Sequence, residues 1–289
     1  MKTKKRSRKY MFVIIAVIIV IISLIILFFK LPGSKTKKEF YALMKDRISD
    51  TVPASGIYTE ADIKNLPGPL KKYFRYCGYL GKPKNSSMKA VFKDVDFHMS
   101  NKGKKSEIKI DYTQYNFANK PERFAYIDSA LYGIPFEGFD SYQNGIGSMK
   151  GVIGKVITLF DQRGEAMDKA CLVTFLADCL LFPGAALQDY ISWEEIDDTH
   201  AKASITYYGI SAAGIFTFDN NGAMLSFRTG DRASIEMDGT TKVAEWSAVC
   251  RNYQLVNGLL QPTEFQAIWH YPEGDFVYFH GKNAKIELR

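Results

Sequence analysis

The sequence predicts an α+β protein in which an antiparallel sheet is built around one buried helix, behind a single membrane-spanning helix. Three observations lead there. Residues 11–29 contain no charge and are almost all Ile, Val, Leu and Phe. From residue 88 the apolar residues recur with a period of two between Asn-Gly and Asp-Gly dipeptides, the pattern of strands joined by hairpins. One run, residues 170–182, breaks that alternation and is apolar on nearly every helical face. Hydrophobic residues at 46% and charged residues at 24% suffice for a packed core, and 14% aromatics favour strands.

The formal net charge of +7 is unevenly placed. Residues 1–38 hold ten Lys and Arg and no acid, which leaves 28 basic against 31 acidic residues, a net of −3, for residues 39–289. The folded part is therefore mildly acidic. That argues against nucleic acid as a partner, because phosphate binding needs a basic face on the domain.

Residues 1–10 read as a basic cytoplasmic tail and 11–29 as the transmembrane helix. At about 1.5 Å per residue the run spans roughly 28 Å, close to a bilayer's hydrocarbon thickness. Its one polar residue, Ser23, can bond back to a carbonyl of the preceding turn. The cluster Lys2, Lys4, Lys5, Arg6, Arg8 and Lys9 is denser than Lys30, Lys35, Lys37 and Lys38. The positive-inside rule then puts the N-terminus in the cytoplasm and the domain outside the cell membrane. A cleavable signal peptide would need a small-x-small site, and Phe28-Phe29-Lys30-Leu31-Pro32 is a poor one.

Residues 30–58 read as a juxtamembrane linker with an amphipathic helix, because Phe40, Leu43, Met44 and Ile48 form an apolar stripe. Residues 59–289 then form one β-rich domain. Thr59 caps a short helix with Asp62 three residues on, and Leu70, Tyr73, Phe74 and Cys77 mark another that ends at Gly78. Strands are expected over 88–97 and 108–112, joined by a polar turn at 100–106, then over 123–132, 139–142 and 152–160. The run 170–182 stops at Pro183 and is the central helix; it is too short to cross a bilayer. A meander completes the chain, with strands near 201–208, 213–219, 223–229, 233–237, 242–248, 251–256, 259–270 and 275–287. Residues 194–198, Glu-Glu-Ile-Asp-Asp, read as a polar loop of solvated carboxylates.

Catalytic and metal motifs are missing. His98, His200, His270 and His280 lack metal-ligand spacing, no G-x-S-x-G or C-x-x-C occurs, and Met149 and Val156 void a Walker pattern around Gly154-Lys155. No cofactor or metal is expected. Cys77, Cys171, Cys179 and Cys250 read as buried free thiols. Asp178 stands out, since a carboxylate among apolar neighbours must be paired or carry a raised pKa. Arg228 and Arg232 are its candidate partners. Asp178 is either a perturbed acid lining a pocket or half of a helix-to-sheet ion pair; Trp193, Trp246 and Trp269 either line a cavity or fill the core.

These residues resemble a bacterial family of unknown function, DUF6544 (earlier DUF6920). The likeness is carried by Leu66-Pro67 with Leu70, Tyr73 and Cys77-Gly78, by Phe175-Leu176-Ala177-Asp178 with Phe182-Pro183, and by Trp193 with Ile196-Asp197. Phe216, Phe218-Asp219 and Gly222, Asp231-Arg232, Trp246 with Tyr253, and Pro262 with Glu264 and Trp269 continue it. The family pattern has Glu where this chain has Asp178. The layout looks like the LolA/LolB lipoprotein-carrier class, which implies a strongly curved, half-barrel-like antiparallel sheet wrapped around the central helix. The leading functional expectation is a membrane-anchored, non-catalytic envelope domain that binds a hydrophobic or lipid-like ligand. Two others stand beside it: an envelope enzyme using Asp178 or the acidic run with Arg228 or Arg232, and an interaction scaffold.

Overall fold

In the computed structural model, which describes residues 2–101, 104–235 and 238–289, the apolar N-terminal run is one helix, α1 (Lys2–Lys30). Among the described residues it is the helix long and apolar enough to cross a membrane, and its apolar side chains are exposed. The Ser23 hydroxyl donates to Ile19 O at 2.8 Å, so the helix's own backbone satisfies its one polar side chain in the apolar run.

Four residues on, α2 (Lys35–Asp50) starts at Ser34, whose Oγ accepts from Lys37 N and donates to the buried Glu137 carboxylate at 2.5 Å. Phe40 and Met44 of its apolar stripe are fully buried against Tyr115, Phe117, Phe124 and Tyr126. The amphipathic helix is thus seated on the sheet. Short helices α3 (Glu60–Ile63) and α4 (Gly68–Tyr76) follow, with Asp62 accepting from Thr59 N as a cap and Leu70, Tyr73 and Phe74 buried.

The strands then run as antiparallel hairpins: β1 (Ser87–Asn101), β2 (Lys104–Phe117), β3 (Glu122–Leu131), β4 (Ile134–Gln143), β5 (Ile146–Ile153) and β6 (Ile157–Gln162). Helix α5 (Glu165–Asp178) crosses to the far edge. There β7 (Ile191–Asp197), β8 (His200–Tyr207), β9 (Ile210–Phe218) and β10 (Met224–Thr229) form a meander. A separate hairpin, β11 (Ala233–Ile235) with β12 (Thr241–Val243), precedes β13 (Glu245–Val256), β14 (Leu259–Tyr271), β15 (Gly274–Gly281) and β16 (Lys285–Leu288).

Among the described residues one sheet of 14 strands results, ordered β6-β5-β4-β3-β2-β1-β15-β14-β13-β10-β9-β8-β7, with β16 also paired to β1. The sheet curves strongly, because α5 packs against β3, β4 and β5 from one half and against β8 and β9 from the other. Local features bend it. The register slips between Phe92 and Val95, where Asp94 takes φ 54°. At Gly214 a Cβ would lie 2.2 Å from Phe227 Cζ, so the ring lies over bare backbone there. The fold is α+β, a curved antiparallel sheet around a central helix.

Several elements differ from expectation. The central helix begins earlier, at Glu165, and ends at Asp178; residues 179–190 are turns leading to the next strand. The apolar run continues past the helix because those turns are also buried, at Leu180 and Phe182 for example. The expected strand at 152–160 is two, broken by a turn at Gly154 to Val156. The expected strand at 242–248 starts on β12 with Lys242 and Val243 and continues on β13, which also takes in the expected strand at 251–256, and 275–287 divides into β15 and β16, both paired to β1. The expected strand at 233–237 is described as far as Ile235; Glu236 and Met237 lie outside the described residues, and the polar turn expected at 100–106 is narrower, since β1 runs to Asn101 and β2 resumes at Lys104, with residues 102–103 outside the described residues. The acidic run is not a loop: Glu194 to Asp197 lie on β7, paired to β8.

Candidate ligand cavity

Between α5 and the concave face of the sheet lies a cavity of about 270 Å3. Most of its wall is apolar, contributed by Phe92, Phe136, Met167, Ala170, Phe265 and Phe279 among others. The lining is fully buried at Met88, Gln114 and Leu181 and half-buried at Met99, Ile235, Tyr271 and Phe276. Met88 begins β1 and Gln114 lies near the end of β2, whereas Met99 and Tyr271 lie at the opposite strand ends. The cavity therefore runs along the strands, closed at the first end and open at the second.

Near the closed end sits a polar cluster. Asp178, on the last turn of α5, accepts from Gln114 Nε2 at 2.7 Å and Asn116 Nδ2 at 3.2 Å, with Arg123 Nε at 3.4 Å. Arg123 also donates to Tyr112 OH and Gln114 Oε1, and its Nη1 is 4.0 Å from Asp140. These groups converge because β2 and β3 are paired, which sets Asn116 opposite Arg123, while α5 lies across both. Burial raises the Asp178 pKa, against the lowering influence of Arg123 and the two amides. Burial raises Asp140 as well, opposed by Arg123 and Arg232. For Arg123 burial disfavours the charge, but Tyr112, Asp178 and Asp140 outweigh it and the pKa is raised.

Nearer the open end, the Arg232 guanidinium stacks on two indoles, 4.6 Å from the Trp246 ring and 5.1 Å from that of Trp269. Arg232 Nη1 and Trp246 Nε1 both reach Tyr278 OH, at 3.3 and 3.1 Å. Arg232 Nε is buried with no hydrogen-bond partner, and among the described residues no carboxylate forms an ion pair with this side chain. A cation held on a rigid aromatic shelf in an apolar wall is a ready counter-charge for an anionic group.

A family model described as a family of unknown function, DUF6544, matches residues 56–281. The chain belongs to the DUF6544 family. Comparison with curated proteins finds no match. A crystal structure of a LolA superfamily protein from Nitrosomonas europaea is similar over 76% of this chain and 92% of that one, at 10% identity and TM-score 0.37.

Within this DUF6544 domain, Asp178, Arg232, Trp246 and Trp269 line this cavity, whereas Trp193 and Arg228 do not. Trp193 packs on Phe216 and donates to Ala186 O, and Arg228 forms an exposed pair with Glu245. Neither Arg228 nor Arg232 pairs with Asp178; its partner is Arg123. Arg228 stands on β10 and pairs across to β13 on the outer face, which no one-dimensional spacing reveals. Arg123 carries no sequence signal for this role, because it opens an expected strand between Glu122 and Phe124, where a charge reads as solvent-facing. The acidic run is occupied locally, Glu195 accepting from Gly68 N at 2.7 Å and Asp197 from Thr199 N and His200. Among the described residues no three His, Cys, Asp or Glu side chains converge as a metal site. All four cysteines are free and buried, which pushes the Cys77 and Cys171 thiols up to about 12.

Proposed function

We propose that this protein is a membrane-tethered binder, without catalytic function, of a hydrophobic ligand that carries an anionic end, such as an acyl chain with a carboxylate or phosphate. The observation that carries the reading is the cavity itself: about 270 Å3 with mostly apolar walls, larger than the roughly 150 Å3 apolar void that takes up benzene in an engineered core. The apolar walls would hold the chain, and Arg232 on its Trp246–Trp269 shelf would hold the anion. The cluster of Asp178 and Arg123, paired with each other and bonded to Gln114, Asn116 and Tyr112, serves as the cavity's floor. In this reading α1 crosses the cell membrane with its N-terminus in the cytoplasm, so the domain faces the outside.

The test is native mass spectrometry of the full chain released from mild detergent, with lipid extraction in parallel. The expected result is a co-purifying amphiphile at about one per chain. Ala267→Trp, which projects an indole into the cavity from β14, abolishes it while thermal unfolding stays cooperative. A wild-type chain that carries no amphiphile and takes up none from added fatty acid overturns the reading.

A further inference from the structure

The two hairpin turns nearest the end of α1 carry apolar side chains with nothing to cover them. In the β3–β4 turn Tyr132 is 101% exposed and Ile134 38%; in and after the β5–β6 turn Val156 is 69% exposed, Ile157 60% and Leu159 42%. The turns adjoin each other, since Gly154 N donates to Pro135 O at 2.7 Å. Both adjoin the anchor. A Cβ on Gly154 would lie 3.6 Å from the Phe29 ring and 3.9 Å from Ile134, and Lys155 Nζ donates to Phe28 O in the last turn of α1 at 3.2 Å and to Leu31 O just beyond it. Its ammonium also stands over the Phe28 ring. The exposed patch is thus continuous with the emerging end of the membrane-crossing helix.

Tyr132 adds an independent sign. It takes φ 51°, a left-handed conformation that Asn or Gly adopts at less cost than an aromatic residue, and it is wholly exposed. A tyrosine held out in this way suits the headgroup level of a bilayer, where the ring meets hydrocarbon and the hydroxyl meets water. Lys30 ends α1 and the exposed Lys35 begins α2, so both would meet anionic headgroups where α1 emerges.

We propose that the β3–β4 and β5–β6 turns dip into the headgroup–acyl boundary of the same membrane that holds α1, as a second, shallow membrane contact. The contact has a geometric consequence. Both turns lie at the sheet end where the cavity opens, since β3, β4, β5, β6 and the β14–β15 connection all turn there. Seating them turns the cavity mouth towards the bilayer, so an acyl chain has a short path between lipid and protein. Only this consequence rests on the ligand-binding reading; the contact itself does not.

The experiment uses the full chain in vesicles of phosphatidylcholine and phosphatidylglycerol. A bimane label is placed at Tyr132→Cys, Val156→Cys or, as control, Leu255→Cys. Leu255 is 73% exposed near the β13–β14 turn, at the opposite sheet end; the four native thiols are buried and remain unlabelled. Doxyl-labelled lipid is expected to quench at 132 and 156 at least threefold more than at 255. Adding Val156→Asp with Ile157→Asp, both exposed and so tolerated by the fold, should lower quenching at 132 at least twofold. Equal quenching at 156 and 255 overturns the proposal, as does quenching at 132 that ignores the two aspartates. Because the readout needs no ligand in the cavity, an empty cavity with strong quenching would sink only the binding reading.

Discussion

Removing the Asp178 carboxylate tests the account of the cavity floor most directly. In Asp178→Ala the Gln114 and Asn116 amides lose an acceptor, and the Arg123 guanidinium keeps Asp140 at 4.0 Å as its nearest carboxylate. Breaking a buried pair by deleting one partner costs about 3–5 kcal/mol. The residual Asp140 interaction places this case at the lower end, about 3 kcal/mol. With a urea m-value of about 3 kcal/mol/M for a domain of this size, the midpoint falls by about 1 M. The assay is urea unfolding of the detergent-solubilised full chain, followed by tryptophan fluorescence. The pair is then removed together: Arg123→Met with Asp178→Leu leaves neither charge unmatched at that position and should lose less than the two single changes added, by about 2 kcal/mol or more. Simple additivity of the single losses would refute the pairing.

Three further outcomes follow from the same geometry. Arg232→Met keeps the length of the side chain but removes the charge, so affinity for an anionic amphiphile should fall at least tenfold in a fluorescent fatty-acid displacement assay, with affinity for a neutral alcohol of equal chain length unchanged. The pKa of Asp178 is raised by burial, so the folded state holds that proton more tightly than the unfolded chain. Its contribution to stability is therefore fullest below the ordinary carboxylate range and declines as pH rises through the folded value. The urea midpoint of wild type relative to Asp178→Asn should accordingly be largest at about pH 3 and shrink towards neutrality; a difference that grows with pH contradicts this. Gly184→Ala places a methyl 1.9 Å from Asn85 O, a backbone atom that cannot step aside, and should cost about 3 kcal/mol or prevent folding, whereas Gly230→Ala meets nothing within 4 Å and stays within about 0.5 kcal/mol, both read from urea midpoints.

Hairpin turns show how local the legible part is. Asn144-Gly145 and Asn257-Gly258 both take two successive positive φ angles, 52° and 78° in each case, as their dipeptides announce. Tyr132-Gly133 and Tyr208-Gly209 adopt nearly the same geometry, 51° and 80°, 48° and 78°. Neither first position carries the Asn or Asp that would have announced it. A turn is readable when its residue type is chosen for backbone conformation and opaque when it is chosen for another purpose, which at Tyr132 we infer to be the membrane.

The sequence by itself determined an N-terminal helix long and apolar enough to span a membrane, the apolar stripe of α2, the alternation of the strands and the buried helix with its one anomalous acid. All of these rest on interactions within a few residues or on a period that one element repeats. Which groups meet was decided only by tertiary structure. Asp178 finds Arg123 across 55 positions of chain, and Arg232 finds Trp246 and Trp269 from three separate segments. The cavity exists because the sheet bends around α5 with both halves touching it. Curvature sums small twists and bulges over many strand pairs, and no single residue encodes the space left inside.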